Sequence, residues 1–142
     1  MKIVDLEEKY NEIYFMCLED WSDEMKEAGD RKEKWFYKIK DRGLGVKLAL
    51  TDDDKVVGMI QYIPIEMSPA EGNQAYFINC IWVHGYKEGV GNYQKKGIGK
   101  ALLQAAENDV KSKGVSGMVA WGLSLPTVLQ TSSISHTDSL RY

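Results

Sequence analysis

At 142 residues, with 44% hydrophobic and 27% charged side chains, the chain is sized for one domain with a real core and excludes two independent ones. Its net charge of −3 excludes the broad basic field of a nucleic-acid binder, so no nucleic-acid partner is expected. Only Cys17 and Cys80 are present, far apart and without metal-ligand spacing, which argues against a disulfide framework and gives no metal site to expect.

Met1-Lys2-Ile3-Val4-Asp5 starts no signal peptide, and no apolar run reaches bilayer length, so a cytoplasmic protein without a membrane partner is expected. Residues 1–6 read as a short strand. Residues 7–21 then place Tyr10, Ile13, Tyr14, Cys17 and Leu18 on one helical face. Ser22-Asp23 looks like the cap of a second helix running through the charged stretch to Asp41, with Trp35 and Ile39 buried and Gly29-Asp30 as a break. Gly43 and Gly45 end that helix. Val46, Leu48 and Leu50 alternate with Lys47, Ala49 and Thr51, and after Asp52-Asp53-Asp54-Lys55 the chain returns through residues 56–65 as a hairpin. The Asp run lacks the Gly and final Glu of a calcium loop and reads as a solvated turn.

Pro64 and Pro69 close the hairpin, and residues 75–83 are then the most apolar segment, as befits a central strand covered on both faces. A Gly-rich insert over residues 84–93 is long enough to fold as a flap. A helix from Ile98 to Lys113 is predicted to bury Ile98, Leu102, Ala105 and Ala106, to carry Glu107–Lys111 and Asp109–Lys113 pairs outside, and to stop at Gly114. A last strand passes through Met118-Val119-Ala120-Trp121. The predicted order is β-α-α-β-β-β-α-β.

At the last strand-to-helix junction stands Gln94-Lys95-Lys96-Gly97-Ile98-Gly99-Lys100. A helix start carries unpaired N–H groups and partial positive charge, so glycines that permit close approach make it a phosphate cradle, here for a pyrophosphate. A Walker loop fails at Gln94 and Ala101, where it needs Gly and a hydroxyl residue. The dinucleotide fingerprint fails too, since Gly89-Val90-Gly91 has no third glycine after it. The plainer alternative is a strand-to-helix turn that uses glycine for sterics alone. The surviving pattern, Gln-x-x-Gly-x-Gly between strand and helix, resembles the acetyl-CoA motif of the GNAT N-acetyltransferases.

The resemblance covers roughly residues 1–124 and implies an α+β, three-layer fold: a mixed, mostly antiparallel central sheet with helices on both faces. It implies a GNAT-like domain over residues 1–125 and acetyl-CoA as cosubstrate. Residues Gln94, Lys95, Lys96, Gly97, Ile98, Gly99 and Lys100 would hold the pyrophosphate, with a solvated surface role the alternative for each lysine, and the main chain of Ile81, Trp82 and Val83 would align the pantetheine. The insert over residues 84–93 is longer than the family's usual tight turn at this place and is expected to form a flap over the cofactor. For the base that accepts the amine proton the candidates are His84, with a suitable imidazole, and Glu66 after the hairpin. For each a structural role, a bonded loop histidine or a surface carboxylate, is the alternative. Tyr76 and Asn79 lie on the strand and could touch substrate, though no sequence pattern marks them for it, and the acidic residues 20–24 fall where the family's acceptor pocket is often rimmed.

The expected function is acetyl-CoA-dependent transfer of an acetyl group to a primary amine of a small molecule or protein. Residues 126–142 form an unpatterned tail where the family carries further helix and strands, so a truncated or frame-shifted C-terminus is expected, with an apolar edge near Trp121 and homodimerisation as its consequence. The alternative is a non-catalytic coenzyme A-binding or regulatory module. A third reading is an interaction domain without a nucleotide site.

Overall fold

Alternation over residues 45–50 and its return over residues 56–64 make the hairpin on which everything else packs. The structure is a computed structural model and describes residues 1–68, 72, 74–115 and 117–120. Its elements are β1 (Lys2–Asp5), α1 (Asn11–Phe15), α2 (Asp23–Ile39), β2 (Gly45–Leu50), β3 (Val56–Pro64), β4 (Ala75–Val83), α3 (Ile98–Ser112) and β5 (Gly117–Ala120), with one-turn 3-10 segments at Glu8–Tyr10 and Ile65–Met67. The five strands form one sheet in chain order, antiparallel through β4, with β5 added parallel to β4.

α3 covers one face of this sheet, setting Leu102, Leu103, Ala106 and Val110 against Ile60, Tyr62 and Ile78. α1 and α2 cover the other, where Tyr14, Phe15, Leu18 and Phe36 meet Leu48, Leu50 and Met59. The three-layer expectation and the element order both hold. Tyr14, Phe15 and Phe36 pack tilted to edge-on at centroid distances of 5.4–5.7 Å, the geometry aromatic quadrupoles favour.

Four local expectations need correction. The first helix is far shorter than residues 7–21, because Cys17 and Leu18 take left-handed backbone (φ 50° and 65°) and drop Leu18 into the core. Gly29 does not break α2. It is buried within the helix, and a Cβ there would make ordinary contact, 3.5 Å from Met16 Cγ and 3.7 Å from the Phe15 carbonyl oxygen. Ala105 is only partly buried, whereas Leu103 and Val110 are core, and Glu107 faces inward at 4% exposure rather than out toward solvent. Asp109 does pair with Lys113, at 3.4 Å, but also accepts the buried Tyr62 hydroxyl at 2.6 Å, which ties α3 to β3. Burial alone would raise the Asp109 carboxyl; the Tyr62 hydrogen bond and the Lys113 ammonium outweigh it and hold the carboxyl below its ordinary range. Trp121, Pro69 and the tail over residues 126–142 lie outside the described residues.

Candidate functional site

The glycine loop builds an unfilled helix start. Gly97 is the N-cap of α3 in left-handed conformation (φ 80°), with no side-chain cap, and the first bond inside the helix runs from Ala101 N–H to Gly97 O at 3.1 Å. The N–H groups of Ile98, Gly99 and Lys100 therefore project from the positive end of a four-turn helix without an intrahelical partner. A Cβ built on Gly97 meets nothing within 4 Å, so the approach to these groups is open. Lys95 and Lys100 are exposed beside them, and Lys96 lies over the Tyr93 ring at 5.1 Å. Gln94 serves as a strut. Its Nε2 donates to the Val83 carbonyl at 3.0 Å while Asn92 Oδ1 accepts its backbone N–H, and Gly85 makes room, since a Cβ there would sit 2.3 Å from Gln94 Nε2.

That strut joins the loop to the end of β4. Among the described residues, Ala75–Ile78 of β4 pair with β5, while the other side of β4 stays paired with β3 as far as Val83. The register shift between Gln61 and Tyr62 leaves Asn79 as an extra, bulged residue of β4, one position past its last described pair with β5, Ile78–Ala120. Beyond it, His84 N–H bonds Val57 O at 2.9 Å. By the alternation of an antiparallel ladder, the main-chain groups of Ile81 and Val83 then point away from β3 and those of Trp82 face Met59. Trp82 thus departs from the expectation for its main chain, because a period of two cannot aim three successive residues the same way. Its side chain supplies a different group: the indole Nε1 is buried without a hydrogen-bond partner among the described residues.

His84 is fully buried, and both ring nitrogens are spent. Indole N–H only donates, so Trp21 Nε1 gives its hydrogen to His84 Nε2 at 3.0 Å, and the proton on Nδ1 goes to the Gly91 carbonyl at 2.7 Å. The imidazole therefore clasps the α1–α2 connection, the end of β4 and the flap, and Tyr93 N–H closes the flap onto His84 O at 2.8 Å. It offers no free lone pair to an amine. Glu66 is exposed on the turn after β3, near Tyr76 and so at the end of β4 away from the glycine loop. The structure thus brings together residues 81–84 and 94–100 and sets Glu66 apart. Within residues 20–24, Ser22 caps α2 through Met25 N–H and Trp21 holds His84.

Replacing His84 by Ala is expected to strip both clasp bonds, lower stability by about 2–3 kcal/mol and speed proteolytic cleavage within residues 85–92 at least tenfold. Limited proteolysis followed by mass spectrometry checks it. A flap that stays protected while turnover alone is lost would return His84 to the role of base.

Residues 3–126 match the family model described as the acetyltransferase (GNAT) family. The chain belongs to the GNAT acetyltransferase family. As a GNAT protein it is an N-acetyltransferase by family, a class that transfers an acetyl group to an amine. No curated protein sequence matches the chain. Its fold is similar to that of AAC(6')-Iy in complex with the bisubstrate analogue CoA-S-monomethyl-acetylneamine (TM-score 0.63, 15% identity, 91% of this chain and 84% of that one). A GNAT acetyltransferase from Staphylococcus aureus Mu50 is likewise similar (TM-score 0.60, 20% identity, 86% and 73%), as is a ribosomal-protein-alanine N-acetyltransferase from Brucella melitensis (TM-score 0.59, 22% identity, 84% and 73%).

Among the described residues of this GNAT domain no cluster of three His, Cys, Asp or Glu side chains could share a metal ion. No helix among them is long and apolar enough to cross a membrane. Sequence reasoning missed the Trp21 clasp and the bulge at Asn79. A bulge depends on the partner strand's register and leaves no mark in one strand's pattern. The only available signal for Trp21 was a large aromatic residue stranded beside a helix cap.

Proposed function

We propose that this chain uses acetyl-CoA to acetylate a primary amine of a small molecule or protein. The observation that carries this reading is a juxtaposition: the open N-terminus of α3 lies beside the end of β4, where the main-chain groups of Ile81 and the Val83 N–H turn away from β3 and Gln94 holds the Val83 carbonyl. Together they suit an extended ligand with a diphosphate at one end and amides along its length. In this reading the N–H groups of Ile98, Gly99 and Lys100, with the Lys95 and Lys100 ammonium groups, hold the pyrophosphate. The Ile81 main chain and the Val83 N–H extend the sheet onto the pantetheine, and the cosubstrate supplies the thioester carbonyl. His84 is a positioning residue that keeps the flap and the end of β4 in place. Glu66 is too far along β4 to take the amine's proton, which leaves through solvent.

Thermal-shift titration tests the assignment. Coenzyme A and acetyl-CoA are expected to stabilise the fold by about 2.7 kcal/mol at one hundred times the dissociation constant, by mass action. Stronger stabilisation by ATP would overturn it. The non-catalytic alternative is favoured by one observation, that both ring nitrogens of His84 at the end of β4 are already hydrogen-bonded within the chain. Acetyl-CoA binding without turnover across an amine panel would select that alternative. Cytoplasmic action belongs to the reading, since Cys17 and Cys80 are both free thiols. So does pairing of two copies along β5, one of the two edge strands of the described sheet.

A further inference from the structure

On the α1/α2 face of the sheet, beside the bulge, lies a cavity of about 280 Å³ lined by Cys17, Lys32, Trp35, Gln61, Asn79 and Cys80. It is at the small end of ligand pockets. Asn79 and Cys80 come from the bulge in β4, next to Ile81 and Val83, along which the transferase reading lays the pantetheine. The other four residues come from the turn after α1, from α2 and from β3.

The cavity's polar groups are one-sided. Lys32 donates to the Tyr14 carbonyl at 2.7 Å and to Cys17 Sγ at 3.4 Å, and its ammonium lies 4.0 Å from the centre of the Tyr14 ring. All three contacts are neutral. By contrast Lys2, Lys9, Lys47 and Lys113 each reach a carboxylate. Among the described residues no Asp or Glu lines this cavity, and burial pushes the Cys80 thiol up, so it faces the space uncharged. The Tyr14 hydroxyl donates to Gln61 Oε1, which leaves the Gln61 Nε2 hydrogens as further donors at the same wall. A half-buried cation with neutral contacts is best completed by an anion from outside the chain. The two consecutive left-handed residues, Cys17 and Leu18, hold the Tyr14 carbonyl and the Cys17 thiol against the ammonium, and strain of this kind concentrates at binding sites.

We propose that Lys32 recognises a carboxylate on the acceptor, so that the amine acetylated belongs to a small amino acid. The substrate class rests on the transferase reading above. An ammonium near the reacting nitrogen also disfavours the protonated form of the incoming amine, which helps supply the neutral nucleophile that acetyl transfer requires. Lys32 is therefore a specificity residue, not a base.

The test uses the full chain with coenzyme A bound. It is titrated with α-amino acids and their carboxamides, for example alanine with alaninamide and glutamate with its α-amide, following the Trp35 indole N–H by NMR. At least one amino acid is expected to bind ten times more tightly than its amide. Lys32→Arg should keep the preference, Lys32→Met abolish it and Lys32→Glu reverse it. If Lys32 merely caps the end of α1, Lys32→Met lowers stability and leaves the ratio unchanged, which overturns the proposal. Binding of no amino acid, or equal binding of each pair, overturns it as well. A chain that ignores coenzyme A yet keeps the Lys32-dependent ratio would sink the transferase reading and leave the carboxylate site standing.

Discussion

Gly97→Glu is expected to weaken acetyl-CoA binding about 100-fold while the chain stays folded. Gly97 caps α3 with φ of 80°, and its Cβ position meets no protein atom within 4 Å. A side chain there is strained by about 1 kcal/mol, but it collides with nothing of the chain itself. The loss of binding must therefore come from the ligand side, where a carboxylate a few ångströms from a diphosphate costs roughly 1–4 kcal/mol per charge pair. Gly97→Asn supplies the control, since Asn tolerates left-handed backbone and adds no charge. Isothermal titration with acetyl-CoA on the three proteins separates strain from repulsion. Equal affinities for wild type and Gly97→Glu would remove the pyrophosphate from this loop.

Gly45→Ala is expected to cost roughly 3–5 kcal/mol of stability, much of what a domain of this size has. Gly45 stands opposite Tyr62 in the β2–β3 register, and a Cβ there would lie 2.1 Å from Cε2 and 2.4 Å from Cζ of that ring. The ring has nowhere to go. Tyr62 is fully buried, packs against Tyr76 at 5.9 Å and holds Asp109 through its hydroxyl. Overpacking costs about 1–3 kcal/mol, and losing a buried hydrogen bond to a carboxylate adds about 1.5–3. Urea unfolding measures the sum. In the double variant Gly45→Ala/Tyr62→Leu the two changes should cost less together than the sum of their separate effects, because the clash disappears with the ring. Strict additivity would mean that the ring moves aside freely.

Gly45 also shows where a single sequence stops being informative. Read along the chain it was one of two glycines ending the second helix, and it does follow that helix. Its missing side chain, however, answers to a ring seventeen positions away. Asp109 behaves similarly: the i,i+4 spacing to Lys113 was legible, whereas its bond to Tyr62 required β3 and α3 to be in place. In the candidate site, the glycine loop was legible because its signal is local, a turn followed by a helical period. The roles expected of His84 and of the Trp82 main chain were not, since each depends on which way a strand residue faces and on what another segment brings to it.

Residue order alone determined the sequence of elements, the hairpin across residues 52–55 and the helix start at Gly97, because hydrophobic period and turn chemistry act over a few neighbouring positions. Family membership followed from the same local pattern. Only the tertiary structure decided that β4 bulges at Asn79, that Trp21 and Gly91 occupy both nitrogens of His84, and that Lys32 meets a cavity with no counter-ion among the described residues. Each of these is set by strand register and by contacts between distant segments, where a shift of one residue turns a side chain to the opposite face.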